Sequence, residues 1–176
     1  ESSASNLITN PSFEIGELNS VPTSWTKLGT VVSTVKIEKK NIIGSQVVSV
    51  AKGVLDAFAG IQQNMVPVTS VGDIFILSAK LISAIGTPTV TLVIQESGNS
   101  VVTETKDVVI NTTEEQYFLS HTISDPLNTI LKISIRTASV IKIFIDDIQV
   151  DKNDYLRSFE TTYGDNLLTD GNFEES

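Results

Sequence analysis

VIKIFIDDIQV, residues 140–150, is the stretch from which the fold is read. Side chains of an extended strand alternate between two faces. Phe144, Asp146, Ile148 and Val150 therefore fall on one face, and Asp147 points the other way. The segment closes a series with the same grammar. In LKISIRT, Leu131, Ile133 and Ile135 alternate with Lys132, Ser134 and Arg136. In TVTLVIQ, Val90, Leu92 and Ile94 alternate with Thr89 and Thr91. In VVSTVKIE, Val31, Ser33, Val35 and Ile37 share a face, opposite Lys36 and Glu38. DIFILSAKLISAI, 73–85, is apolar on both faces for part of its length, as expected of a strand covered on two sides. Val, Ile and Thr dominate these segments, which suits strands. Gly86-Thr87-Pro88, Ser97-Gly98-Asn99 and Asp125-Pro126-Leu127-Asn128 break them with turn chemistry. Residues 112–116 have room for one short turn, and no long segment has a helical period. About ten short strands joined by frequent turns indicate an all-β, antiparallel sandwich or barrel.

A second feature concerns the ends. NLITNPSFE (Asn6–Glu14) recurs as NLLTDGNFE (Asn166–Glu174) without a gap. Asn6, Leu7, Thr9, Phe13 and Glu14 are identical to Asn166, Leu167, Thr169, Phe173 and Glu174. A repeat at this spacing is too long for a solenoid unit and matches a whole domain. The expected organisation is a complete β module over 1–150, a polar linker over 151–165, and the first strand of a following repeat over 166–176.

Composition narrows the partners. The chain has 176 residues, 40% of them hydrophobic, enough for one ordinary core. A net charge of −9 from 12 basic and 21 acidic residues disfavours nucleic acid. No apolar run is long enough for membrane insertion as a helix. The absence of cysteine removes disulfides, thiolate metal sites and cysteine nucleophiles. One histidine, His121, leaves little for a histidine-based triad or zinc site.

Several pieces then fall in order: NLITNPSFE, Val21-Pro22-Thr23-Ser24-Trp25, Gln62-Gln63 leading through Val66-Pro67 and Gly72 into a long apolar strand, TTEEQYFLSHTI ending at Ile123, and FIDDIQV. Together they resemble the galactose-binding-like β-jelly-roll domains among carbohydrate-binding modules, the group often appended to xylanases and glucanases. The likeness covers Asn6 to about Val150 and begins again at Asn166. It implies a jelly roll and a non-catalytic, extracellular or cell- or virion-surface module. It further implies a structural calcium ion (Ca2+) held by Glu14 and Asp146, with backbone carbonyls near Ser12 and in the loop 40–44. By the residues alone, a carboxylate on an apolar face is costly unless paired or metal-bound. Oxygen donors of this kind suit calcium. A local salt bridge at Glu14 and a plain strand end at the aspartates explain the same residues.

Sugar recognition uses aromatic rings for stacking and polar groups for hydroxyls. Aromatics are 6% of this chain. Trp25 follows Pro22 and Ser24 and reads as a core residue. Gln116 stands where the related modules commonly have Trp, and Leu119 where Tyr is common. Tyr117, His121 and Gln95 are the candidate ligand-binding residues. Glu14 and Asp146 make a poor hydrolytic pair, because both lie in strand segments with apolar neighbours. Two functions are expected: a non-catalytic glycan-binding module, or a structural or adhesive spacer repeat of a bacterial surface, spore-coat or phage tail fibre protein. In the second, neighbouring copies of the same module are the partners, through strand edges and termini.

Overall fold

The computed structural model describes residues 6–40, 45–67 and 69–152. Ten strands and no helix occur among them: β1 (Thr26–Leu28), β2 (Thr34–Lys39), β3 (Gln46–Ala51), β4 (Ala59–Met65), β5 (Ile74–Ser83), β6 (Thr89–Ser97), β7 (Val102–Val109), β8 (Glu115–Thr122), β9 (Ile130–Thr137) and β10 (Ile143–Lys152). All pairings are antiparallel. They build two five-stranded sheets, β1-β4-β9-β6-β7 and β2-β3-β10-β5-β8. The expected antiparallel sandwich is the observed one.

The alternation produces the core. Val90, Leu92 and Ile94 of β6 and Leu131, Ile133 and Ile135 of β9 project inward from the first sheet. Phe75, Leu77, Ala79 and Leu81 of β5, with Ile143 and Ile145 of β10, meet them from the second. Each fully buried branched or aromatic side chain contributes about 2 kcal/mol by leaving water. Two local expectations are corrected. Val31 is nearly fully exposed in the turn before β2, so the buried face of that strand begins at Val35. Residues 112–113 form a bend, and Glu115 already belongs to β8.

The two ends of the module meet. β3 pairs with β10 only over Ile143–Ile145. Beyond that point the N-terminal phrase lies alongside β10. The Leu7 N–H donates to the Val150 carbonyl (3.0 Å), and the Ile148 N–H donates to the Pro11 carbonyl (2.9 Å). The Asn6 side chain bonds both the Ile148 carbonyl and the Val150 N–H. Asn10, at φ 54°, uses its amide to hold Ile15 and Thr23. Phe13, at φ 59°, is buried against Trp25 with ring centroids 5.7 Å apart. Asn6, Leu7 and Phe13 have identical counterparts in the C-terminal phrase and Asn10 a similar one, Asp170, whereas Pro11 corresponds to Gly171. β10 runs to Lys152, two residues past the expected module boundary at Val150. The rest of the expected linker and the second phrase lie outside the described residues.

One irregularity matters for the site. In β10, Asp146 pairs with Lys80 but Gln149 pairs with Ser78, so Asp147 and Ile148 together oppose Ala79. This is a β-bulge, and Asp147 takes the left-handed conformation at φ 46°. The extra residue reverses the parity of the strand. Ile145 and Ile148 both enter the core, and Asp146 stays outside with Phe144. The shared face expected for Asp146, Ile148 and Val150 is thereby broken.

Candidate functional site

The outward face of the first sheet forms three rows across its strands. Thr26, Gln62, Ser134, Val93 and Thr105 make the middle row. Leu28, Gly60, Arg136, Thr91 and Asp107 make the second. Asn64, Lys132, Gln95 and Thr103 make the third. These residues point out because their sequence neighbours, the Leu, Ile and Val of the core, point in. The middle of the face is sunken: Val93 is 4% exposed and Ser134 5%. Gly60 deepens it. A Cβ there would collide with the Ile135 carbonyl oxygen and stand 2.7 Å from Arg136 Cα. Thr91 donates to Asp107 (2.6 Å), and Gln95 donates to Thr103 (2.9 Å). Phe58, just before β4 and 37% exposed, lies at the rim, where the Arg136 guanidinium sits 4.7 Å from its ring centre. The face thus offers amides, hydroxyls, two cations and one aromatic ring.

Of the residues singled out for binding, Gln95 is on this face. Tyr117 and His121 are not. On β8 they pair with Ala79 and Phe75 and turn inward between the sheets. The Tyr117 hydroxyl lies 3.3 Å from the Glu115 carboxylate at the sandwich edge, and burial together with Glu115 raises its pKa. His121 is buried, with Nε2 3.3 Å from the Glu96 carboxylate. Burial pushes the Glu96 pKa up, but hydrogen bonds from the Ser124 hydroxyl (2.6 Å) and N–H (3.1 Å) outweigh it and the net shift is down. This cluster ties β6 to the β8–β9 connection from inside, with no route to a polymer. Trp25 is in the core as expected, its Nε1–H donating to the Asn10 carbonyl (3.2 Å). Gln62, Asn64, Lys132, Arg136 and Phe58 are not among the binding candidates expected from the sequence. The parity of β4 and β9 would have placed the first four on one face.

Glu14 and Asp146 reach the same corner of the second sheet. Glu14 accepts the Gln46 N–H (3.0 Å). Ser45, beside Gln46, accepts the Lys40 N–H (3.0 Å), and Lys40 Nζ reaches Asp146 (3.0 Å) and Glu114 (2.6 Å). Ser12 sits in the turn between Pro11, which accepts from Ile148, and Phe13. Burial, reinforced by the neighbouring Asp147 charge, raises the Asp146 pKa to about 6 despite Lys40. Burial alone would lower the Lys40 pKa, but hydrogen bonds to Glu114 and Asp146 carry it upward. The donors here are oxygens, and the buried Gln46 Oε1 has no hydrogen-bond partner. That chemistry fits a calcium ion, with Lys40 now supplying the positive charge at Asp146. Among the described residues no three Asp, Glu or His side chains converge, so such an ion would rely on carbonyl and amide oxygens as well. Residues 41–44 of the expected loop lie outside the described residues.

The sequence matches no protein-family model and no curated protein. Solved structures do match. The xylan-binding domain CBM22-1 of Paenibacillus barcinonensis Xyn10C is 12% identical, covering 86% of this chain and 96% of that domain, with a TM-score of 0.64. TmCBM61, solved with β-1,4-galactotriose, is 16% identical over 85% of this chain and 99% of its own, with a TM-score of 0.57. The fold is that of the β-jelly-roll carbohydrate-binding modules. The enzymatically active domain of bacteriophage CBA120 tailspike protein 4 also contains it. That match is 19% identical over 82% of this chain, with a TM-score of 0.64, and this chain spans 21% of that one. At such identities the likeness is one of fold.

Proposed function

We propose that this jelly roll is a non-catalytic glycan-binding module of a surface or extracellular protein, and that the glycan lies on the outward face of the first sheet. The observation that carries this reading is the sunken polar face itself. Side-chain amides and hydroxyls from five strands point from one surface, and its centre is lowered at Gly60, Val93 and Ser134. Amides and hydroxyls in register along strands suit a chain of sugar hydroxyls. Phe58 supplies the apolar contact at the rim. Calcium between Glu14, Asp146 and the Ser12 carbonyl belongs to the same proposal as a brace for the joined ends. So does a tandem arrangement, supported by the recurrence of the phrase whose first copy holds β10.

The test is calorimetric titration with a panel of soluble polysaccharides. Binding in the micromolar to millimolar range, lost on replacing Gln62 and Asn64 together by Ala, is the expected result. Fluorescence of Trp25 is a poor probe, since the ring is buried away from this face. Silence across the panel would remove the glycan reading and leave the spacer repeat, in which neighbouring copies are the partners.

A further inference from the structure

The two cations of the glycan face are its least explained feature. Lys132 and Arg136 stand on β9, the central strand, with Ser134 between them on the same side. Four residues of strand separate their backbones, about 13 Å. Among the described residues neither has a carboxylate partner, in a chain with a net charge of −9. Lys27, Lys52 and Lys106 also lack one, but each donates to a backbone carbonyl; Lys39 lacks one too, and it is an exposed residue at the end of β2. Lys132 makes no such bond, and Arg136 is engaged only by the Phe58 ring. Asp107 shares the Arg136 row but stands two strands away, beyond Thr91, whose hydroxyl donates to its Oδ1. Both cations are half-buried, so they flank the sunken centre rather than trail into solvent.

We infer that this face selects a polysaccharide bearing carboxylates, one built of uronic acid residues. The inference rests on the proposed glycan reading and adds the substrate class. Arg136 sits over the Phe58 ring, and a guanidinium can present two parallel N–H donors to a carboxylate. Lys132 supplies a point charge further along the same strand, so one extended polymer meets both. The hydroxyls and amides between them take the uncharged parts of the sugars. This half-buried pair of uncompensated cations contrasts with the opposite side, where Lys36, Lys40, Lys80, Lys142 and Lys152 all meet carboxylates and the exposed Lys39 alone among the described lysines does not.

The experiment compares polygalacturonate with its fully methyl-esterified form, which keeps the backbone and removes the charge. Calorimetry with the full chain should show at least tenfold tighter binding of the acid form. Arg136→Gln and Lys132→Gln should each weaken it about tenfold, while Lys142→Gln on the other sheet leaves it unchanged. Melting curves check that all variants fold. Equal binding of both polymers, or acid binding that survives both substitutions, overturns the uronate inference and leaves the glycan module in place. If neither polymer nor any neutral glycan of the panel binds, the glycan reading falls and this inference with it.

Discussion

The two outward faces of the sandwich are built from separate sets of five strands and carry charge in opposite ways. On the second sheet, every described lysine except the exposed Lys39 is answered nearby. Lys142 holds both oxygens of Glu38 (2.7 and 2.9 Å), Lys36 approaches the same carboxylate, and Ser49 donates to it. Lys80 meets Asp147 (2.7 Å), Lys152 meets Asp73 (2.8 Å), and Lys40 is shared by Asp146 and Glu114. Burial raises the Glu38 pKa, but Lys142 with Ser49 and Lys36 outweighs it, and the carboxyl is held below its usual range. The first sheet leaves Lys132 and Arg136 without carboxylates and sinks its middle. A face that satisfies itself has little left to offer a ligand. A face that leaves polar groups and charge pointing outward keeps them available for one.

The largest expected effect tests the sunken face as architecture. Gly60→Ala would drive a Cβ into the β9 backbone at Ile135 and Arg136. Backbone cannot swing aside as a flexible side-chain end can, so β4 and β9 must separate. The expected loss is about 3 kcal/mol, at the upper end for overpacking, with a melting temperature lower by roughly 10 °C. A variant melting within a degree or two of the parent would show that the floor yields easily, and the difference between the faces would lose its structural basis.

The next effect belongs to the second face and depends on pH. Asp146 has a folded pKa of about 6, above that of an exposed Asp. Between about pH 4 and pH 6 the folded state therefore binds more protons than the unfolded one, and stability falls as pH rises through that window. About two pH units at ~1.4 kcal/mol each bounds the loss near 3 kcal/mol. Denaturation at pH 4.5 and 7.5 in chelator should show this decline, and Asp146→Asn should flatten it. Calcium requires the ionised carboxylate, so the proposed ion should restore stability at pH 7.5 and do little at pH 4.5. A flat profile in the parent protein would mean that Lys40 compensates Asp146 fully. An unchanged melting temperature on adding calcium at pH 7.5 would remove the metal.

The sequence carried the sandwich because inward residues such as Leu131, Ile133 and Ile135 admit no other period. It also carried the adjacency of the first and last segments, through the resemblance of NLITNPSFE and FIDDIQV to a known module. The bulge was not legible. It needs one residue in the left-handed region, and Asp147 tolerates that conformation without announcing it. Reversed parity then turned Ile148 and Val150 into the core and left Asp146 on the opposite side. The orientation of β8 was hidden for a different reason. In QYFLSHT, Tyr117 and Leu119 occupy one parity and Phe118 the other, so an edge strand offered two candidate inner faces. Pairing with β5 settles it, since Leu77 and Phe75 draw Leu119 and His121 inward. The polar face was legible in parts, residue by residue. Its assembly depends on β1, β4, β9, β6 and β7 lying side by side, a strand order that crosses most of the chain.

The smallest effects are the most direct measure of the difference between the faces. Glu38→Gln leaves Lys142 and Lys36 without their shared partner and weakens the Ser49 contact. Partly exposed networks of this kind contribute about 1 kcal/mol. Replacing Lys132 and Arg136 by Gln breaks no ion pair and should shift stability by less than about 0.5 kcal/mol, the usual range for surface changes. Urea denaturation of the two variants beside the parent makes the comparison. If the charges of the first face proved to hold the fold as firmly as Glu38 does, they would be structural, and their freedom to meet a ligand would vanish. If neither variant moved, the ion pairs of the second face would be decorative, and geometry alone would distinguish the two surfaces.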